Sequence, residues 1–560
     1  MEPKLLELSM SSLIKKNIRF LILCFIVLLA IGLRFYQLGN NPPSLDWDEA
    51  SIGYNAYSIL KTGKDEYGNS FPFAFRSFDD YKPPVYVYLT VPSVAIFGLN
   101  EFAVRFPAAI IGVLAVVAVY FFTLEIFNKW DSKKRQLIAF AAAFFLTISP
   151  WHLQFSRAAF EGNIGICFLV FAILFLFKGM KKNIYFVFFT IFFLLSLYSY
   201  HSFRLINPLL LIALCTLFYK EFWKRKIVMG LSFFVITLLS LPVYASFIHS
   251  SGTGARLSMV TIFSDPELRK LSAEKVAVAK SNNNIFNEII YNRRFIFIPS
   301  VIKGYFDHFN FDFLFLHGDG GVQHHAYNMG MLYLWEFPFI LIGLIYLFRK
   351  RDKRILALLI LFFLAPFPSA ITTGTPHPVR AIAMIPAFQI FTAVGFVVTF
   401  LFLLKKQKLG KLVLAGIVIL FIANLQYYFN SYYVLTPIKY GYFWQYGNKE
   451  AVLYAKENED KYDHIIMTYE YDQPYIYYLF YNKIDPVWYQ RNWDYSRTGE
   501  IDRFYRKIEK YEFTRITSEN FKSKNTLLIG AESEIPAGTG ELKKEIFFPD
   551  GRLAYKIVAL

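Results

Sequence analysis

The sequence predicts a mostly α-helical polytopic membrane protein that ends in a small α/β domain. Three observations carry this reading. Hydrophobic residues make up 55% of the 560-residue chain, more than a soluble chain of this length uses. Apolar runs recur from residue 19 to about residue 430, and their lengths approach that of a membrane span. Beyond 430 the chain turns polar, mixed in charge and rich in tyrosine.

The first run lies in LIKKNIRFLILCFIVLLAIGLRF (13–35). It has a basic flank and no small-residue cleavage site, so it reads as a retained helix and not as a cleaved signal peptide. Further runs lie near 86–99, 104–127, 137–154, 164–177, 184–200, 205–218, 227–248, 331–348, 355–371, 381–404 and 411–429. Charge sets the parity. Basic connectors at 128–135, 178–182, 220–226, 349–354 and 405–411, together with Lys15, Lys16 and Arg19, all fall on one side only if run 86–99 does not cross. That run is short, follows Pro83-Pro84 and contains Pro92, which suits an interfacial segment. The expectation is eleven spans with a cytoplasmic N-terminus, a membrane domain over 1–430 and a soluble extracytoplasmic domain over 431–560.

This topology turns outward the segments 39–103, 155–163, 200–204, 249–330 and 372–380. In the tail, KEAVLYAKENEDKYDHIIMTYEYDQPYIYYLFY reads as a helix, a buried strand, a turn and another apolar segment, and NTLLIGAESE as a strand ending in a loop. SNNNIFNEIIYNRR (281–294), within the long outer loop, is polar enough for a mobile segment. No short-period repeat or heptad array is present.

Several function classes recede. Cys24, Cys167 and Cys215 all lie in apolar runs, which gives no disulfide framework or metal site. The formal net charge of +17 is explained by the flanks of the spans, not by a nucleic-acid face. The outward-facing tail lacks a secretory disulfide pattern, which favours a prokaryotic plasma membrane.

The outer loops hold the chemistry. The first carries Asp46, Asp48 and Glu49 in SLDWDEASIGYN, then Asp79, Asp80 and Lys82. The second carries Arg157 and Glu161, the third His201 and Arg204, and the fifth His377 and Arg380. The long loop adds His317, Asp319, His324 and His325. A carboxylate can take a proton from a hydroxyl, and clustered cations can hold a phosphate. Together they point to a reaction between a hydroxyl and a phosphate ester at the outer face. Bland readings stand beside these. Asp79 and Asp80 fit a solvated loop, and Arg204 fits a helix anchor at the interface. The histidines are metal-capable, but His324 and His325 are adjacent and their side chains tend to diverge.

WDEASIGYNAYSIL (47–60), YKPPVYVYL (81–89), GLNEFAVRFPAAIIG (98–112) and SPWHLQFSRAAFE (149–161) occur in that order. Together they resemble the signature of the membrane-embedded GT-C glycosyltransferases of family 39, the protein O-mannosyltransferase and aminoarabinose-transferase type. The resemblance covers about the first 210 residues and returns at TPHPVRAIAMIPAF (375–388). It implies a GT-C fold and an enzyme that moves a sugar from a polyprenyl-phosphate carrier to a hydroxyl at the extracytoplasmic face. The acceptor class stays open among protein, glycolipid and wall polysaccharide. By the same resemblance Asp48 is the catalytic base and Glu49 shapes the site. Lys82 meets the carrier phosphate, Arg157 and Glu161 belong to the substrate site, and Arg380 is a late phosphate-binding cation. Relatives often have Asp where this chain has the longer Glu161. Arg204 and His377 complete the substrate-binding candidates. No cofactor is expected, since Lys82, Arg157 and Arg380 can offset the leaving phosphate, and a divalent metal stays open. SIGYNAYSIL is expected as a short amphipathic helix lying along the surface.

The rival from another class is a transporter or flippase of lipid-linked sugars. Such proteins place ionisable residues near the midplane and show internal repeats. Here the acids cluster in outer loops.

Overall fold

The computed structural model describes residues 2–78, 80–249, 260–492 and 505–560. Asp79 and the segment 250–259 of the long loop lie outside the described residues.

Among the described residues, seven helical segments are long and apolar enough to cross a membrane: Asn17–Phe35, Glu101–Ile126, Glu161–Gly179, Lys226–Ala245, Lys353–Ala370, Ile382–Leu403 and Gln407–Lys439. Four other runs read as spans fold as the shorter helices Ser132–Ile148, Tyr185–Ser199, Phe203–Leu217 and Glu336–Phe348. Run 86–99 becomes a 14-residue helix with Pro92 inside it. At 1.5 Å per residue it is about 21 Å long, short of the hydrocarbon core.

Close backbone approach holds part of the bundle. Helix Glu336–Phe348 packs on Ile385–Leu403 through Gly343 and Gly395. A Cβ on Gly343 would run into the carbonyl oxygen of Phe391, and one on Gly395 into that of Phe339. Small residues at such crossings let two helices share van der Waals contact along their backbones.

The first outer loop is organised around α1 (Glu2–Phe35), α2 (Trp47–Thr62), α3 (Pro84–Phe97) and α4 (Glu101–Ile126), with the hairpin β1 (Phe75–Ser77) and β2 (Asp80–Lys82) before α3. Asp46 starts α2 with a capping box. Its side chain accepts from the Glu49 N–H (2.8 Å), and Glu49 accepts from the Asp46 N–H (3.3 Å). Pro84 opens α3, where its missing N–H costs nothing. The expectation of a surface-lying α2 is corrected. Residues Glu49 to Ala56, with Ser58 and Ile59, are buried, because α2 is covered on one side by α3 and α4 and on the other by the tail.

That tail contains a six-stranded mixed sheet in the order β4-β5-β3-β6-β8-β7. Its strands are β3 (His464–Met467), β4 (Arg506–Ile508), β5 (Tyr511–Phe513), β6 (Thr526–Gly530), β7 (Glu541–Phe547) and β8 (Leu553–Ala559). β3 runs parallel to β5 and β6, and the other pairs are antiparallel. Helices Asn448–Glu457 and Pro474–Tyr481 flank β3, as the alternation of patterns in the tail predicts. The second of these presses on α2. The Tyr54 hydroxyl donates to the Ile484 carbonyl (3.1 Å), and the Tyr477 hydroxyl donates to that of Leu45 (3.2 Å). A Cβ on Gly53 would strike Phe480 and Val104.

The long loop is structured where it is described. It forms helices Pro266–Ser281, Ile285–Ile290 and Ile298–Asp307. The second lies inside the segment expected to be mobile. It is capped by Asn284, whose side chain accepts from the Asn287 N–H (3.0 Å).

Candidate active site

The capping box fixes which way the two acids at the start of α2 face. Glu49 turns inward. Arg105, in the first turns of α4, donates to both of its oxygens, Nε to Oε1 (2.9 Å) and Nη2 to Oε2 (2.8 Å). Glu49 Oε1 also accepts from the Ala159 N–H (2.9 Å). The rest of the Arg105 guanidinium donates to the carbonyls of Leu38, Pro42 and Ser44. A bidentate pair of this kind is strong and directional. It locks the first outer loop to the second, and it places Glu49 in the framework beneath the site.

Asp48 turns outward. Its side chain is 45% exposed and sits at the N-terminus of α2, where backbone N–H groups favour an anion. Lys82, at the end of β2, reaches across with its ammonium 2.8 Å from Asp48 Oδ2 and 4.0 Å from Glu161 Oε1. Pro83-Pro84 end the hairpin just after this lysine, so the turn into α3 delivers it. Burial opposes the Lys82 charge, but the Asp48 and Glu161 carboxylates overcome it and hold the ammonium above the usual lysine range. Asp46 behaves in the opposite way to an available base. Burial, with the neighbouring Glu49 and Asp48 charges, pushes its carboxyl well above the usual carboxylate range.

The third outer loop closes the other side. His201 Nε2 donates to the carbonyl of Tyr81 (3.2 Å), and burial followed by the Arg204 charge lowers its pKa to about 3. Its ring therefore stays neutral at physiological pH. Tyr200 shares a hydrogen bond with Arg380, and burial raises its phenol to about 12. Arg380 itself is braced by Thr372 Oγ1 (2.6 Å) and the Thr373 carbonyl (2.9 Å). Asp48, Lys82, Glu161, Tyr200, His201 and Arg380 thus come together from four separate loops.

The other expected residues divide. Arg204 lies in the first turn of its helix beside His201, and its carbonyl accepts from the Tyr244 hydroxyl (2.9 Å). His377 sits apart, with its ring 4.9 Å from that of His324. Arg157 corrects the expectation of a phosphate contact. It is fully buried, and its guanidinium donates to Tyr432 Oη and to the carbonyls of Leu33, Arg34, Tyr36 and Asn41. Its work is to tie off the open carbonyls at the end of α1. Among the long-loop histidines, His317 pairs with Asp312 (2.5 Å) and His324 with Asp319 (2.8 Å). Both ring nitrogens of His325 face backbone carbonyls. No group of three or more metal-ligating side chains occurs among the described residues. The sequence reading left Arg105 and Tyr200 without roles and grouped His201 only with the outer-loop cations. Arg105 had a usable signal, since an arginine inside an apolar run needs a buried partner.

The profile of the dolichyl-phosphate-mannose-protein mannosyltransferase family matches residues 81–245. No curated protein sequence matches the chain. In structure the chain is similar to ArnT from Cupriavidus metallidurans bound to undecaprenyl phosphate, with a TM-score of 0.54 at 12% identity over 95% of this chain and 97% of that one. The apo state of ArnT gives 0.52 at 11% identity, over 96% and 97%. The archaeal oligosaccharyltransferase AglB from Archaeoglobus fulgidus, in complex with an inhibitory peptide and a dolichol-phosphate, gives 0.51 at 14% identity and covers 83% of this chain. The chain spans 64% of the length of that archaeal protein. The bundle, the tail sheet and these likenesses lead to one result: the chain has the fold of the GT-C membrane glycosyltransferases.

Proposed function

We propose that this protein is an integral-membrane glycosyltransferase. It takes a sugar from a polyprenyl-phosphate carrier and places it on a hydroxyl acceptor at the extracytoplasmic face, with Asp48 as the base. The observation that carries the reading is the Lys82–Asp48 pair at the mouth of the site, 2.8 Å apart, with Glu161 and Arg380 around it. Support comes from the mannosyltransferase profile, which covers Lys82 and Glu161, and from the ArnT and AglB structures, which bind undecaprenyl phosphate and a dolichol-phosphate.

The arrangement suits a single displacement. The acceptor oxygen attacks the anomeric carbon, the bond from that carbon to the carrier phosphate breaks, and the phosphate leaves with the electron pair. The acceptor's proton passes to Asp48. Lys82 changes partners as the donor enters, moving towards the phosphate. The exchange frees the Asp48 carboxylate and offsets the charge that develops on the leaving group. Arg380 approaches the same charge from the fifth loop, while the neutral His201 ring and Tyr200 shape the wall between them. One base acting on one incoming hydroxyl gives inversion at the anomeric carbon.

In this reading the N-terminus is cytoplasmic, the tail is extracytoplasmic and the membrane is a prokaryotic plasma membrane. The division into 1–430 and 431–560 falls within the helical segment Gln407–Lys439, which leads from the catalytic bundle into a domain that braces it. The test compares envelope glycans by mass spectrometry in wild type, deletion, and deletion rescued with Asp48→Asn. A sugar that vanishes in the deletion and stays absent with Asp48→Asn, expressed at the normal level, supports the assignment. General-base removal lowers such a rate by about 10²–10⁴-fold. Full rescue by Asp48→Asn refutes the mechanism.

A further inference from the structure

One stretch of the long outer loop has no part in the transfer reading. Phe263, one face of the helix Pro266–Ser281 and residues 292–297 line a cavity of about 860 Å³, and the helix Ile298–Asp307 follows directly after Phe297. Arg269, Arg293 and Arg294 line it together with Asn292, between the rings of Phe263 and Phe297, and among the described residues its lining includes no acid. Arg269 is fixed by two bonds to the Phe263 carbonyl, from Nε (3.0 Å) and Nη2 (2.8 Å). Arg294 is tied through its backbone N–H, which donates to Asn292 Oδ1 (3.1 Å). Neither Arg293 nor Arg294 has an ion-pair partner among the described residues. Three permanent positive charges on one wall repel each other unless an anion joins them, and guanidinium geometry fits the oxygens of a phosphate.

The rim indicates where that phosphate comes from. Ile298, Ile302 and Phe306 recur every four residues along one face of their helix, and all three are exposed. Ile285, Phe286 and Ile289 on the neighbouring short helix are exposed as well. An unpartnered apolar stripe beside basic side chains is the pattern of an element lying at the headgroup boundary of a bilayer. We propose that this cavity binds the phosphate headgroup of an anionic lipid of the outer leaflet, with the acyl chains running along the Ile298–Phe306 stripe. The site shares no residue with the Lys82 centre, and the proposal goes beyond the transfer reading without depending on it.

The cavity also has a physical link to that centre. The Ile262 N–H donates to the Ile371 carbonyl (3.3 Å), and the Thr373 N–H donates to that of Val260 (2.8 Å). Thr372 and Thr373 are the residues that brace Arg380. A lipid seated against Phe263 thus steadies the segment on which Arg380 depends.

The experiment places the full chain in nanodiscs of phosphatidylcholine with phosphatidylglycerol and counts retained lipids by native mass spectrometry. Removing two basic contacts in Arg293→Ala/Arg294→Ala should weaken phosphatidylglycerol retention about thirtyfold. Arg293→Lys/Arg294→Lys, which keeps the charge, should stay within a few-fold of wild type. If the alanine pair does not insert, Arg293→Gln and Arg294→Gln singly should each weaken retention about fivefold. Equal retention by wild type and the charge-removed variants overturns the proposal. In discs of phosphatidylcholine alone, glycerol 3-phosphate is the soluble probe. Binding of that probe as tight as that of phosphatidylglycerol would make the ligand a free phosphate ester and overturn the lipid assignment. The readout is bound lipid and needs no turnover, so a failure of the transfer mechanism leaves it unaffected.

Discussion

The Glu49–Arg105 pair gives the sharpest test of how the site is held. Both side chains are buried, and the pair is bidentate at 2.8 and 2.9 Å. Arg105→Met leaves the Glu49 carboxylate with two backbone N–H donors, from Asp46 and Ala159, and no counter-charge. It also strips the carbonyls of Leu38, Pro42 and Ser44 of their donor. Glu49→Gln leaves the guanidinium with those carbonyls alone. Breaking one side of a buried ion pair costs about 3–5 kcal/mol. The double variant Glu49→Gln/Arg105→Met removes both charges together, so it should lose less than the sum of the singles by about 2 kcal/mol or more. The assay is equilibrium unfolding in mixed micelles, run as a double-mutant cycle with transfer activity measured in parallel. Each single variant should also lose activity, because the Glu49–Arg105 pair anchors the start of α2, which carries Asp48. Additive singles would show that the pair is uncoupled, and the account of Glu49 as framework would fall with it.

Lys82→Met should raise the donor KM about tenfold to a hundredfold, the effect of losing a charged hydrogen bond, while Lys82→Arg keeps part of it; unchanged donor KM in Lys82→Met removes the phosphate role. His201 yields a pH dependence of defined sign. Its unfolded pKa is the ordinary 6.5 and its folded value is about 3, so below 6.5 the unfolded chain binds a proton that the folded chain refuses. The contribution is whole above 6.5 and falls by up to about 1.4 kcal/mol per pH unit as the pH drops towards 3. Thermal melts across this window should be steeper for wild type than for His201→Gln, and parallel curves refute the assignment. Gly395→Val should destabilise the bundle by about 1–3 kcal/mol or more through overpacking against Phe339, while leaving donor KM unchanged in the protein that survives; a wild-type melt refutes the close crossing.

The Asp48–Lys82 contact was legible because its signals are local: the ordered DE and KPP elements singled out both residues, and the structure has them 2.8 Å apart. Arg157 was misjudged for a physical reason. An arginine at a loop edge has the same sequence signature whether it faces a phosphate or main-chain carbonyls, and only the end of α1 settles which. The burial of α2 was equally hidden. Its amphipathic pattern is that of a surface helix, and what covers its second face is contributed by Phe480 and Ile484, more than 400 residues on. Tyr200 gives no pattern at all, and His201 stood out only as one charged-loop residue among several, since both act through neighbours that the fold brings from other loops.

The contact between α2 and the tail has a consequence for how the protein is born. The bonds from Tyr54 to Ile484 and from Tyr477 to Leu45 join partners 430 and 432 positions apart. At ordinary rates of synthesis the ribosome needs about 20–90 s to travel that far. Throughout that interval the helix bearing Asp48 has one face bare and cannot settle. A chain that stops before residue 474 can thread its helices into the bilayer, yet it never completes the seat of its carboxylate. Competence therefore arrives last, and a half-made copy has no finished centre.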